Sequence, residues 1–405
     1  MTERVLFVVP NLPFPLTSGG HHRDWQILNL LNRLGVQPDL LWFGAGERGA
    51  LAGDDPVSVR CRSVTYGGDR AERPDRHLIA TAVRKLRYLV QSEPSSHPFA
   101  YQYDAVDAGA QIRTAAVATG ARVIVLRGFF CRFAPALRAA GFRVIANCPD
   151  ANSRLAREMV RTVSQPLRKL GPVCNLVAVR RLERRHLPQC DEVWVPTESE
   201  AAELIAQGCA PARVLVVPNL LDIDANADLA AVEPEPATLL FVANFDYAPN
   251  RRAAEWLVHD ILPRLQRGCP TVRLLLVGRG LPAALTAPGV EVAGFVPDLD
   301  AVYRRATVVV LPVREGAGTM VKTIEALARG KATVGTPTAF RGLTTSVPLP
   351  FVVAKDAPTF ATATVELLAD PAARRALAVR ARAYAAARLS WHYGDECLRG
   401  SLLAA

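Results

Sequence analysis

The stretch VVVLPVREGAGTMVKTIEALAR, residues 308–329, carries the pattern from which the fold can be read. Val308 to Leu311 is a short run of apolar residues without polar alternation, as in a strand buried on both faces. Pro312 ends it. Gly316 and Gly318 then form a turn in which the backbone can come close to another group. Val321 to Arg329 reads as a helix. Strand, glycine turn and helix in that order are the repeating element of an α/β protein with a parallel sheet.

The same alternation runs along the chain. Strands are expected at Val5 to Val9, Leu40 to Phe43, Val123 to Leu126, Val144 to Ala146, Val193 to Val195 and Val214 to Val217. A helix from Arg23 to Leu34 carries Ile27, Leu28, Leu30, Leu31 and Leu34 on a helical period. Residues 220–237, LLDIDANADLAAVEPEPA, are acidic, contain proline and lack a core stripe, so a linker is expected there. A second series follows, with strands at Leu239 to Val242, Val272 to Val277, Val290 to Ala293 and Val308 to Leu311. The expected division is 1–219, linker 220–237, and 238–388, with 389–405 as a C-terminal helix returning to the first domain. Doubly wound sheets bind ligands at the carboxyl ends of their strands, which places the expected site in a crevice between two such domains.

Bulk properties narrow the functional classes. A chain of 405 residues exceeds what one core usually serves. No apolar run approaches the ~18 residues of a membrane span. The segment from Met1 to Pro10 lacks the form of a signal peptide, and a cytoplasmic location is expected. The eight cysteines show no metal or disulfide spacing. The net charge is +10, but no zinc-finger or RNA-binding motif accompanies it, and no nucleic-acid partner is expected. The basic region 154–185 is either a solvated helix face or a weak peripheral contact for an anionic membrane surface.

Two loops carry the chemistry. Asn11 to Gly20, NLPFPLTSGG, leads from the first strand into the first helix. Gly19 and Gly20 at a helix start form a seat for an anion such as a diphosphate. The second loop brings Gly316, Gly318 and Thr319 to the start of a helix on which Lys322 and Glu325 lie one turn apart. A cation there stabilises a departing diphosphate, and a carboxylate holds sugar hydroxyls. Gly316 to Val321 approaches a dinucleotide fingerprint, yet GTPTAF (Gly335 to Phe340) offers no acid for a ribose. The triplets Asp222-Ile-Asp224 and Asp298-Leu-Asp300 are expected to hold no metal, and Asp298 suits a helix cap. His21 is a minor catalytic candidate.

These residues resemble the retaining glycosyltransferases of family 4, which have the GT-B fold of two Rossmann-like domains. The resemblance rests on PFPLTSGGHHR (Pro13 to Arg23), DEVWVPTESEAAEL (Asp191 to Leu204), VVPNLLD (Val216 to Asp222), FVANFDYAPNRRAAEWL (Phe241 to Leu257), LLLVGRG (Leu274 to Gly280), VEVAGFVPDL (Val290 to Leu299) and EGAGTMVKTIEALARGKATVGTPTAFRGL (Glu315 to Leu343). It implies a nucleotide-diphosphate sugar as donor, a UDP-sugar foremost, a hydroxyl-bearing acceptor, and no cofactor or metal. Many members carry Arg and Lys where Asn244 and Asn250 stand here, and a glutamate where Ala317 stands. The phosphate role therefore moves to Lys322, with Arg251, Arg23 and Arg314 as helpers. The resemblance also implies that Glu325 faces the donor ribose or sugar and that Gly278 and Val296 line the nucleotide pocket. On the acceptor side it points to Arg127, Asp150 and Asn152. A nucleotide-sugar epimerase or hydrolase of the same fold, and a non-catalytic nucleotide-sugar-binding partner of a transferase, are the competing expectations.

Overall fold

The computed structural model describes residues 3–15, 19–43, 54–67, 107–149, 152–162, 166–224, 228–281, 285–315, 319–343 and 348–402. The chain divides into two compact units. The first comprises Met1–Val217 and Asp395–Ala405, and the second comprises Pro218–Gly394.

The first unit is built on strands β1 (Val5–Val9), β2 (Asp39–Trp42), β3 (Ser63–Tyr66), β4 (Val123–Arg127), β5 (Arg143–Asn147), β6 (Glu192–Val195) and β7 (Val214–Val216). They form a seven-stranded sheet in the order β3-β2-β1-β4-β5-β6-β7, and all its pairings are parallel. β1 is buried at every position, as its unbroken apolar run requires. Helix α1 (Gly19–Arg33) returns the chain after β1 and buries Ile27, Leu28, Leu30 and Leu31. It starts one turn earlier than the periodicity placed it, because Gly19 to His22 continue the helix without apolar side chains to mark it.

The second unit repeats the architecture with strands β8 (Thr238–Val242), β9 (Arg273–Val277), β10 (Val290–Gly294), β11 (Val308–Leu311), β12 (Thr333–Gly335) and β13 (Val352–Val353). Their order is β10-β9-β8-β11-β12-β13, again all parallel. In this doubly wound order the chain leaves β8 toward one edge and returns through β11 toward the other. That reversal opens a crevice beyond the carboxyl ends of β8 and β11. Helix α2 (Ala248–Trp256) follows β8, α3 (Val321–Ala328) follows β11, α4 (Ala357–Ala369) packs on β11 and β12, and α5 (Pro371–Arg388) packs against α3 and α4. Residues 220–237, expected as a linker, lie in the second unit, where Ile223 and Leu229 join the core. Their isolated apolar side chains make no periodic stripe, which is why the segment reads as a connection.

The last helix, α6 (Trp391–Leu402), contributes its residues from Asp395 onward to the first unit. Asp395 accepts three hydrogen bonds of 2.8–3.1 Å from Arg33 at the end of α1. Ser401 bonds Glu192, and its carbonyl accepts from Arg143 at 2.7 Å. No helix among the described residues is long and apolar enough to cross a membrane.

Candidate functional site

The carboxyl end of β8 continues into Ala243-Asn244-Phe245-Asp246, a turn held by two partners. Asn244 accepts from the Asp246 amide at 3.1 Å, an Asx turn. The backbone of the β9 turn packs directly against it. The Ala243 amide donates to the Val277 carbonyl at 2.9 Å, and the Phe245 amide to the Arg279 carbonyl at 2.9 Å. This close approach explains the glycine at 278. Its φ is +139°, and a Cβ there would lie 1.7 Å from the Ala243 carbonyl oxygen. Only glycine satisfies both conditions.

The loops after β8 and β11 are joined by side chains. Asn250, on α2 and 7% exposed, donates through its amide nitrogen to the Asn244 carbonyl at 2.7 Å. Its amide oxygen accepts from Lys322 Nζ on α3 at 2.6 Å. Both ends of the Asn250 amide are thus used, and the ammonium is fixed beside the crevice. Lys322 Nζ also sits 5.8 Å from the centre of the Phe241 ring, on whose face a cation is attracted. Burial pulls its pKa down to about 8, against the opposing pull of Glu325.

Glu325 lies one turn further along α3. It is half-buried, and its carboxylate makes no hydrogen bond or ion pair among the described residues. Burial raises its pKa, while Arg329 and Lys322 hold it down. Arg329 is itself committed: it bonds Asp300 at 2.6 Å and its guanidinium lies 4.7 Å over the Tyr303 ring. Glu325 is therefore a carboxylate with free acceptor positions between two cations.

Thr319 brings a buried hydroxyl without a partner among the described residues to the start of α3. The helix opens at Met320 without a side-chain cap, and no side chain among the described residues bonds its first amides. Gly316 and Gly318 lie outside the described residues. Among the expected helpers, Arg251 donates to the Phe245 carbonyl at 3.5 Å. Arg314 is stacked 4.4 Å over the Trp256 ring. Val296 is half-buried against the core. The second unit thus brings together Asn244, Asn250, Lys322, Glu325 and Thr319, with Gly278 shaping the neighbouring turn. Asp298 caps its helix through the Ala301 amide at 3.2 Å, and Asp300 serves Arg329.

In the first unit, Gly19 and Gly20 open α1 beside the carboxyl end of β4. Gly19 has open space where a side chain would stand, whereas a Cβ on Gly20 would meet Arg127 Nη2 at 2.7 Å. Arg127 ion-pairs with Asp24 and donates to the Gly20 carbonyl at 3.1 Å. Arg23 points inward: it is 1% exposed and donates to Asn147 at 3.1 Å and to the Val217 carbonyl at 2.5 Å. Burial lowers its pKa to about 10, with Glu200 and Asp24 opposing. Arg23 and Arg127 thus have internal partners that tie α1 to β4, β5 and β7. His21 Nδ1 lies 3.2 Å from the Pro15 carbonyl, Asn152 is the first residue of its helix, and Asp150 lies outside the described residues. Sequence reasoning did not find Asp24 or Asn147. Asp24 lies on the buried face of α1 with Ile27 and Leu31, a charge among apolar positions, whereas Asn147 ends β5 and nothing local marks it.

Residues 236–370, spanning all of the second sheet, match the family model described as glycosyl transferases group 1. No curated protein matches the chain. Among solved structures, sucrose-phosphate synthase from Thermosynechococcus elongatus superposes with a TM-score of 0.70 at 18% identity, covering 100% of both chains. Anabaena HepE in complex with UDP gives 0.67 at 14% identity over 99% of this chain and 100% of its own. The fold is GT-B. A third GT-B relative, the lipopolysaccharide outer core galactosyltransferase WaaB, gives 0.59 at 10% identity over 99% of each chain. In this GT-B chain the stretch matching the group 1 model contains every residue gathered around Lys322.

Proposed function

We propose that the protein transfers a sugar from a nucleotide-diphosphate donor, a UDP-sugar foremost, to a hydroxyl-bearing acceptor. The observation that carries this reading is the Lys322–Asn250–Asn244 chain across the crevice of the second sheet. It sets one cation and one helix start where a doubly wound sheet receives phosphates. That this segment matches a glycosyltransferase family model, and that the HepE structure was solved with UDP, support the same reading.

In the proposed reaction the bond between the sugar's anomeric carbon and the diphosphate oxygen breaks. Lys322 and the first amides of α3 take up the charge developing on that oxygen. Glu325 accepts hydrogen bonds from the sugar or ribose hydroxyls and orients them. The acceptor oxygen forms the new bond on the face the diphosphate leaves. Attack on that face retains the anomeric configuration, and the departing diphosphate takes the acceptor's proton. In this scheme Lys322 supplies the countercharge, and a chelator leaves turnover unchanged. The first unit is assigned the acceptor. The location is cytoplasmic, with the exposed Arg180, Arg181, Arg184 and Arg185 available to an anionic membrane surface.

The test is a panel of nucleotide sugars with simple hydroxylated acceptors, followed by release of nucleoside diphosphate and by the stereochemistry of the product. Acceptor-dependent release with retention is expected. Sugar inversion without acceptor would identify an epimerase. Donor binding with no release under any acceptor would make the chain a binding partner.

A further inference from the structure

The second unit holds a cavity of about 40 Å³ at the end of its sheet opposite the candidate site. Thr307, which precedes β11, and Lys331, which precedes β12, line it together with Leu229 and residues of α5. The wall is close-fitting at Gly330, whose φ is +61° and whose added Cβ would meet Ala230 at 2.9 Å. The space exceeds what one water needs and accepts a compact polyatomic group, but not a sugar or a base.

The lining is cationic. Lys331 is 4% exposed, yet its ammonium has no hydrogen-bond or ion-pair partner among the described residues. Its nitrogen keeps contact with the cavity, so the charge is largely but not fully desolvated, and an anion there would gain from it. Arg374 and Arg375 line the same cavity. Arg374 is anchored, donating to the Leu367 and Leu368 carbonyls at 2.8 and 2.9 Å. Arg375 is exposed and makes no bond among the described residues. Glu233 is the acidic residue of the lining; it is exposed and pairs with none of these cations. Burial and the neighbouring Arg374 lower the pKa of Lys331 to about 8.

We propose that this cavity binds a compact oxyanion, a phosphate group, with Lys331 as its buried contact and Arg374 and Arg375 completing its charge. The group is either free phosphate or the phosphate end of a small metabolite whose remainder lies outside. The site is confined to the second unit and does not depend on the reading of the crevice around Lys322.

The test measures thermal unfolding of the full chain against inorganic phosphate and glycerol phosphate at constant ionic strength, with chloride as control. Saturable stabilisation by phosphate is expected in the wild type and in Lys322→Met. The apparent Kd should weaken ~10-fold or more in Lys331→Met, as loss of a charged hydrogen bond predicts, and severalfold in Arg375→Gln. Tighter binding of glycerol phosphate through the same residues would identify a metabolite as the source, and tighter binding of phosphate would identify the free ion. If Lys331→Met fails to fold, Arg375→Gln decides, because its side chain is exposed. Absence of saturable stabilisation, or stabilisation undiminished by both substitutions, would overturn the proposal.

Discussion

Lys322 Nζ donates to Asn250 Oδ1 at 2.6 Å across 72 residues of sequence, and Asn250 passes the link to the Asn244 carbonyl at 2.7 Å. Two asparagines thus hold in place a cation that neither could supply. Removing the cation should cost more than removing its support. Lys322→Ala is expected to lower kcat/KM ~10- to 100-fold, the worth of a charged hydrogen bond to the donor. Asn250→Ala should lower it less. A double-mutant cycle in steady-state kinetics should show coupling of ~0.5 kcal/mol or more between the two positions; additive effects would mean that Asn250 does not orient Lys322.

The ammonium is the form that binds a diphosphate, and burial brings its pKa from 10.5 to about 8. Donor affinity should therefore hold below pH 8 and fall above it, by up to ~10-fold per pH unit as one proton is lost. Calorimetric titrations with UDP from pH 6.5 to 9.5 would show this, and Lys322→Met should remove the decline.

Stability should move the other way. Lys322 and Lys331 both have a pKa of about 8 in the fold against an ordinary 10.5. Between those values the unfolded chain binds more protons than the folded one, so stability rises with pH over that window. Urea midpoints at pH 7.5 and 9.5 would measure the rise, and Lys331→Met should reduce it.

Gly278→Ala should destabilise by more than ~1 kcal/mol, since alanine is strained at a φ of +139°. The collision with the Ala243 carbonyl would also push the β8 turn out of place. Weakened UDP binding should accompany the loss of stability.

Arg127→Met leaves Asp24, itself buried, without its ion-pair partner. Breaking such a pair costs ~3–5 kcal/mol, whereas replacing both members with apolar residues restores much of it. Denaturant titration of Arg127→Met and of Arg127→Met/Asp24→Leu should show that order. If the single variant is as stable as the wild type, the pair is not a structural tie.

The central strands were legible because burial on both faces leaves an unbroken apolar run, as in VLFVV (Val5–Val9) and LLFV (Leu239 to Val242). The strands β12 and β13 were not, since runs of three and two residues carry no period. Lys322 and Glu325 could be named from their place after a glycine turn. The tie of Lys322 to Asn250 could not, because it depends on two helices meeting beside the sheet. Arg23 misled for a related reason: beside two glycines it suggests an anion contact, but its helical phase matches Ile27 and turns it inward. Lys331, in ARGKA, has the look of a surface lysine. What buries it is the distant segment around Leu229.

Arg33 leaves the ribosome 362 residues before Asp395, its ion-pair partner. Arg143 and Glu192 likewise wait for Ser401. A nascent chain therefore carries all seven strands of the first unit's sheet while that unit still lacks its closing helix. Ribosome-stalled chains ending at Gly394 would carry a first unit open to proteases at the end of α1, and synthesis of the final helix would close it.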